Sequence, residues 1–539
     1  MHRFTTAPSA LVLLLSVGCA FGFACSSTTD ATQGVESANP GATPGGNGSG
    51  DPQGSTGNGG KDGGPAANGA DSGSTTTTGE GDAGTDSSVD PPPPPPPPPA
   101  GPLSPSYVDY DINHVLSTGQ SNSVANGGTP ILTTTQPFTN IMFNTGVMPI
   151  TGCGNDACTT YQTPTSFVPL VEGDSFFNYG VETASSGLGN GISNIAQQIY
   201  LFGNKATYPL KHDVLVTVEG RSGWTLWCIR KGSCNYKGGV KPFQQSIMDV
   251  QNAMALAQAA GKTYAVRAVT IVHGESDHYS YQLPQHPEFP LASTDGVPNA
   301  IQNYADGLIE LQKDYDKDVR ALTGQTPAIP LLVSQISGWT DIPTSKVAQW
   351  ELDAHIRAPG KVLLIGPTYA LDVREDCNHF SNKGQRRLGE YFAKVYSKVV
   401  FGGETWEPVR PKTVTRADNV ITVKFFVPKP PLVFDTTRVT NPGNYGFTFN
   451  DGTASPPTVT NVAITASDTV QITLSATPAG AEKHLLYAQN QPPKGTTCIG
   501  PGLVYGGGAR GNLRDSDDTP SNYGYDLFNW AVMSDTIIP

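Results

Sequence analysis

The sequence predicts an α/β protein, a parallel β-sheet with helices on both faces, followed by a C-terminal all-β, sandwich-like domain. Two observations carry this. From about His114 to Val400, short β-branched apolar runs alternate with helical stretches, the pattern of a parallel sheet buried on both sides. After Phe401, strand-like pieces are joined by Pro, Gly, Asn and Asp turns with no helical period, which suits a sandwich of ordinary domain size.

In chain order, residues 1–25 read as an export signal. Arg3 lies in a short n-region, Ala10 to Val17 is apolar, and small residues follow. Cys19 and Cys25 make this stretch resemble a bacterial lipoprotein signal, with Cys25 the preferred lipidation site because a polar SSTTD follows it. Plain secretion is the alternative. Residues 26–103 form a linker. Ser26 to Pro102 has no aromatic residue and no Leu, Ile or Met, so it buries too little apolar surface to offset the entropy of ordering. Its Gly/Ser/Thr-rich part reads as a flexible coil. Pro91 to Pro99 reads as a polyproline rod of roughly 28 Å. Together they suit a tether that holds a body away from a membrane.

The linker carries nine acids against Lys61 alone, so it holds most of the net charge of −13 and leaves the body mildly acidic. With no basic patch, nucleic acid is excluded as a partner. No apolar run after residue 25 approaches the ~20 residues that span a bilayer, so membrane contact is expected through a lipid anchor only. There is no heptad pattern, and a monomer is the default.

The first domain is expected over 104–402. Its strands are expected at 114–118, 213–219, 264–272, 329–336 and 361–366, with helices near 192–202, 241–260, 298–322, 344–356 and 383–399. Gly187 to Gly191 reads as a helix-entry loop, since a dinucleotide loop needs a preceding strand and one more glycine. The β domain is expected over 403–539. Six cysteines lie beyond the signal. An even count in an exported chain favours disulfides over metal, and close spacing suggests Cys153–Cys158 and Cys228–Cys234, leaving Cys377 with Cys498. Zinc spacing is missing, so no metal is expected.

Ligands in such sheets sit at the carboxyl ends of the strands, and the chemistry gathers there. Gly119-Gln120-Ser121-Asn122 follows the first strand, Gly220-Arg221-Ser222-Gly223 the second, and His273-Gly274-Glu275-Ser276-Asp277 the third. Asp376-Cys377-Asn378-His379 follows the fifth. Serine alone is a weak nucleophile; a histidine must take its proton and a carboxylate must orient that imidazole. Asp376 and His379 are three apart, close enough for one turn to present both. Glu275 or Asp277 could supply the acid instead, or hold the loop by hydrogen bonds.

These blocks resemble the SGNH hydrolases, specifically the sialate O-acetylesterase-like carbohydrate esterases. Gly119 to Asn122 matches the G-Q-S-N nucleophile block, His273 to Asp277 matches Q-G-E-x-D in four of five places, and Asp376 and His379 match the closing D-x-x-H before a helix. The resemblance covers about 110–400. It implies an SGNH-type, flavodoxin-like sheet, Ser121 as nucleophile, His379 as base and Asp376 as orienting acid. It also implies an O-acetylated carbohydrate as substrate and no cofactor. For the oxyanion it implies the Ser121 N–H, a glycine (Gly180 or Gly223) and a side chain from the third block. Gln120 and Glu275 join the oxyanion and substrate candidates. His273 stands where the family has Gln, and an oxyanion donor and a structural histidine are both open for it. Trp224 and Trp227 could stack on a sugar or pack in the core. Residues 509–518 read as a solvated loop with internal salt bridges, a substrate or Ca²⁺ contact being the other reading. Two further functions stay open: a glycan-binding lipoprotein without catalysis, and an esterase acting on lipid or polyester.

Overall fold

A computed structural model describes residues 103–539, apart from 154–156, 175–178, 204–209, 233, 235–237, 281–288, 339–345 and 490–509. The signal, both of its cysteines, the linker and Cys498 lie outside the described residues.

Long apolar runs become the centre of a seven-stranded, mixed and mostly parallel sheet. Its strands are β1 (Ile112–Gly119), β2 (Ile141–Phe143), β3 (Phe167–Pro169), β4 (Asp213–Val218), β5 (Tyr264–Val272), β6 (Leu331–Gln335) and β7 (Val362–Pro367). The spatial order is β7-β6-β5-β1-β4-β2-β3, with β3 antiparallel at one edge. Every residue of β1, β4 and β6 is buried, so these strands show no exposed polar face; the polar residues of β1, Asn113, His114, Ser117 and Thr118, are buried too. All five expected strands are present. The edge strands β2 and β3, three residues each, carry too short a signal to read in advance.

The helices are α1 (Ala184–Gln198), α2 (Leu226–Ile229), α3 (Pro242–Ala259), α4 (Glu275–Ser280), α5 (Tyr304–Thr323), α6 (Lys346–Arg357) and α7 (Asn382–Tyr396). Helices α1 and α7 pack together on one face of the sheet, and α3, α5 and α6 on the other. Three boundaries have clear causes. Pro242 opens α3 at its first position, the Asn303 side chain caps α5, and Gly324 ends α5 in the left-handed conformation. α1 corrects the sequence reading: it begins at Ala184, and Gly187 to Gly191 lie inside it rather than in an entry loop.

Beyond Phe401 the described chain forms antiparallel sheets. Arg410–Ala417, Val420–Phe426, Thr469–Leu474 and Val459–Ala466 make one of four strands, and Phe447–Asn450, His484–Tyr487 and Ser534–Ile537 one of three. A single hydrophobic core continues from the α/β layers into this region, through Tyr369, Tyr487, Trp530 and Met533. Gln335, at the end of β6, donates to the Met533 carbonyl at 2.9 Å and accepts the Met533 N–H at 2.8 Å.

Residues 510–518 also correct the sequence reading. Arg510, Asp515 and Asp517 are buried. Arg514 pairs with Asp435 at 2.7 Å, and Asp517 faces Lys394 of α7 at 3.4 Å. The segment is a strap bound to the α/β layers, with Asp517 neutralised inside the protein by Lys394, while Asp518 stays exposed and pairs with Lys429 at 2.8 Å. Among the described residues no helix is long and apolar enough to cross a membrane.

Candidate active site

The strand order reverses at β1: the chain passes from β1 to β4 on one side and then to β5 on the other. Such a reversal opens a crevice at the carboxyl ends of the strands, and Ser121 follows β1 directly there. Gly119 lets the chain turn. Its φ is +140°, and a Cβ would stand 2.1 Å from the Val272 carbonyl oxygen, so a side chain would push β1 away from β5. Gln120 N–H then donates to that same carbonyl at 3.1 Å. Ser121 starts a helical turn closed by Asn126 N–H to Ser121 O at 2.9 Å, and its side chain is 6% exposed.

His379 and Asp376 come from the loop between β7 and α7. This loop is pinched at its root, where Arg374 N–H donates to His379 O at 2.8 Å and Ser381 N–H to Asp372 O at 3.0 Å. At the tip, Asp376 Oδ1 accepts the N–H groups of Asn378 and His379 at 3.0 and 2.9 Å. Its Oδ2 lies 2.8 Å from His379 Nδ1. His379 Nε2 lies 2.9 Å from Ser121 Oγ. Burial works against the Asp376 charge, but the His379 ring and the loop N–H groups outweigh it and hold the carboxyl down to about 2. The three-residue spacing thus delivers Asp376 and His379 from one turn, and the structure brings Ser121, His379 and Asp376 into one chain of contacts.

The other expected residues sort by contact. Gln120 is buried, its side-chain oxygen accepting Ser276 N–H at 2.8 Å and Gly274 N–H at 3.3 Å; it joins the β1 and β5 loops. Glu275 is buried beneath the site, and burial pushes it up to about 7 despite His379 and an Asn122 donor. Asp277 accepts Leu226 N–H at 2.8 Å and so holds α2. Gly223 lies in the loop after β4 with φ +70° and open space beside its α-carbon. That loop is held to the Ser121 loop by Arg221 N–H to Gly119 O at 3.0 Å. Gly180 sits in a short ribbon paired with Asp174. The Ser121 backbone N–H has no acceptor among the described residues.

His273 does not suit an oxyanion role. Its Nε2–H donates to the Trp224 carbonyl at 2.9 Å, and its Nδ1 accepts the Tyr304 hydroxyl at 2.8 Å. Burial lowers its pKa, and in that neutral tautomer no ring N–H is left for a ligand. Trp224 is fully buried under Lys241 and belongs to the core. Trp227 is half-buried against the Arg230 guanidinium, 4.1 Å from its ring centroid. Cys153–Cys158 and Cys228–Cys234 are disulfides, as their spacing suggests. Cys377 is also disulfide-bonded. No cluster of His, Cys, Asp and Glu suited to a metal occurs among the described residues. The residue that sequence reasoning left without a role is Asn122, whose sequence signal is its place in the Gly119–Asn122 block beside Ser121.

No protein-family model and no curated protein matches the chain. Solved structures that resemble it include a carbohydrate acetylesterase from Xanthomonas citri, 15% identical, covering 79% of this chain and 80% of that one with a TM-score of 0.44. A carbohydrate acetylesterase from Sinorhizobium meliloti is 13% identical over 53% of this chain and 99% of its own, TM-score 0.27. The aryl esterase of M. smegmatis is 12% identical over 53% and 98%, TM-score 0.25.

Proposed function

We propose that the protein is an exported serine esterase that removes O-acetyl or other short acyl groups from carbohydrate through an acyl-enzyme on Ser121. The observation that carries the reading is the relay from Ser121 Oγ through both ring nitrogens of His379 to Asp376. Its position at the carboxyl ends of the strands supports it, and the motif resemblance supports the sugar ester as substrate.

In the first half-reaction His379 Nε2 takes the Ser121 proton as Oγ bonds to the acyl carbon, and the carbonyl electron pair moves onto oxygen. The Ser121 N–H, together with the Gly223 N–H, is the donor set proposed for that oxygen. Collapse breaks the bond to the sugar oxygen, which leaves with the proton from Nε2. Water then repeats the sequence: its proton goes to Nε2, its oxygen joins the acyl carbon, and Ser121 departs with the proton, releasing the carboxylic acid. Asp376 stays ionised and steadies the imidazolium. His379 shuttles each proton, and water supplies the oxygen and the proton that restore Ser121. Lipidation at Cys25 and the linker complete the proposal as a monomeric enzyme held on a membrane by a lipid anchor.

The test is hydrolysis of 4-nitrophenyl acetate and butyrate by the full chain beside Ser121→Ala. Acetate-selective turnover, lost by about 10³- to 10⁶-fold in the variant, is expected. Equal activity in both proteins would remove Ser121 from the mechanism. A folded but inactive wild type would favour the glycan-binding reading.

A further inference from the structure

We infer that Asn122 is a positioning residue that clasps the nucleophile loop to the base loop, with Glu275 setting the orientation of its amide. The inference rests on Ser121 and His379 acting as proposed above. Asn122 is buried at 1% exposure. Its side-chain oxygen accepts Phe380 N–H at 3.1 Å, and its amide nitrogen donates to the Asn378 carbonyl at 3.0 Å. Those two partners flank His379 in the chain. One side chain, adjacent to the nucleophile, therefore grips the base loop on both sides of the base. The Asn122 carbonyl also accepts from Gln385 at 2.8 Å, which ties the same turn to the start of α7.

The amide has a single satisfactory orientation. Flipping it would aim an NH₂ at the Phe380 N–H and an oxygen at the Asn378 carbonyl, two mismatches in a buried site. Glu275 Oε1 accepts the second amide hydrogen at 3.2 Å, a third contact that only the observed orientation satisfies. The surroundings suit a carboxyl that accepts rather than repels. Glu275 Oε2 and the nearby Glu351 Oε1 are buried without partners, and burial raises both groups. The charged or titratable groups around Glu275 include Asp277 from its own helix, Glu351 from α6, and His379 from the base loop. A protonated Glu275 carries its hydrogen on one oxygen and leaves the other for Asn122. What the clasp secures is the 2.9 Å between His379 Nε2 and Ser121 Oγ. Misplacement of reacting groups by about 1 Å costs on the order of 10²-fold.

The test uses full-length wild type, Asn122→Ala, Asn122→Asp and Ser121→Ala, each measured for kcat, KM, pH profile and amide hydrogen exchange over 372–381. Asn122→Ala is expected to lower kcat by about 10²-fold with KM within about threefold, and to speed exchange at Phe380, whose acceptor is gone. Asn122→Asp has the same shape and guards against misfolding. It keeps the acceptor for Phe380 but loses the donor, so its activity is expected to fall as pH rises and to recover where it shares a proton with Glu275. The alanine variant shows no such recovery, and a merely structural role would not produce it. Wild-type kcat and wild-type exchange in Asn122→Ala would overturn the clasp. If Ser121→Ala instead keeps full activity, the nucleophile reading falls, and Phe380 exchange still decides whether Asn122 joins the loops.

Discussion

Gly389 of α7 lies so close to Ala184 of α1 that a Cβ on the glycine would stand 2.2 Å from the Ala184 carbonyl oxygen. Gly187 approaches the Arg386 carbonyl in the same way, at 2.0 Å. The two helices therefore touch backbone to backbone, and this contact fixes α7. Its capping residue, Ser381, is two positions beyond His379 and accepts Gly384 N–H at 3.2 Å. Gly389→Ala is expected to lose about 1–3 kcal/mol, as overpacking does, and, on the proposed mechanism, to lower kcat by moving His379. Chemical denaturation and steady-state kinetics check this; an unchanged midpoint would mean that α1 and α7 slide apart freely.

This pair also shows what the sequence conceals. Gly187 to Gly191 looks like a loop because glycine is a poor helix former. It is helical because only glycine permits the packing, and that requirement lives in α7, about 200 residues away. Strands β1, β4, β5, β6 and β7 are legible because their mostly buried segments read as short β-branched or aliphatic runs between helical stretches. Ser121, Asp376 and His379 are legible as candidates because strand ends and a three-residue spacing are local. His273 is not, since its tautomer is set by Tyr304 and the Trp224 carbonyl. Residues 510–518 are misread because charge normally means solvent, and nothing local reveals that Lys394 waits inside.

Lys394 and Asp517 test that strap. Their side chains are 1% and 0% exposed, 3.4 Å apart, and the Lys394 ammonium also reaches the Leu527 carbonyl and, at 2.5 Å, Asn529. Replacing one partner leaves the other charged and buried. Lys394→Met is expected to destabilise the protein by about 3–5 kcal/mol, measured by urea denaturation. The joint change Lys394→Met with Asp517→Asn should recover part of that loss. A single variant as stable as wild type would show that the strap contributes nothing to the body.

Cys377 is disulfide-bonded and stands between Asp376 and Asn378, with φ +58°. Its expected partner is Cys498. Reduction frees the residue next to Asp376, the proposed orienting acid, so dithiothreitol is expected to lower kcat several-fold and to reduce the melting temperature. Free-thiol counting verifies reduction. Full activity with unchanged melting after verified reduction would detach this bond from the site.

Glu275 gives a pH dependence whose sign is fixed. Burial raises its folded-state pKa from 4.5 to about 7, above its value in the unfolded chain. Between these limits the native protein holds a proton that the unfolded chain has released, so this group's contribution to stability falls as pH rises from about 4.5 to 7 and is flat above. A glutamine in its place would keep an oxygen acceptor for Asn122 and cannot ionise. Glu275→Gln is therefore expected to remain level across that window, gaining on wild type by on the order of 1–3 kcal/mol at pH 8 relative to pH 5. Buried acids away from the site, such as Glu172, titrate in both proteins and cancel in the difference, while Glu351, raised in part by Glu275, eases with it in the same direction. Urea midpoints at several pH values supply the comparison, and parallel curves would show that Glu275 is ionised in the native protein, with Asn122 held by a full carboxylate.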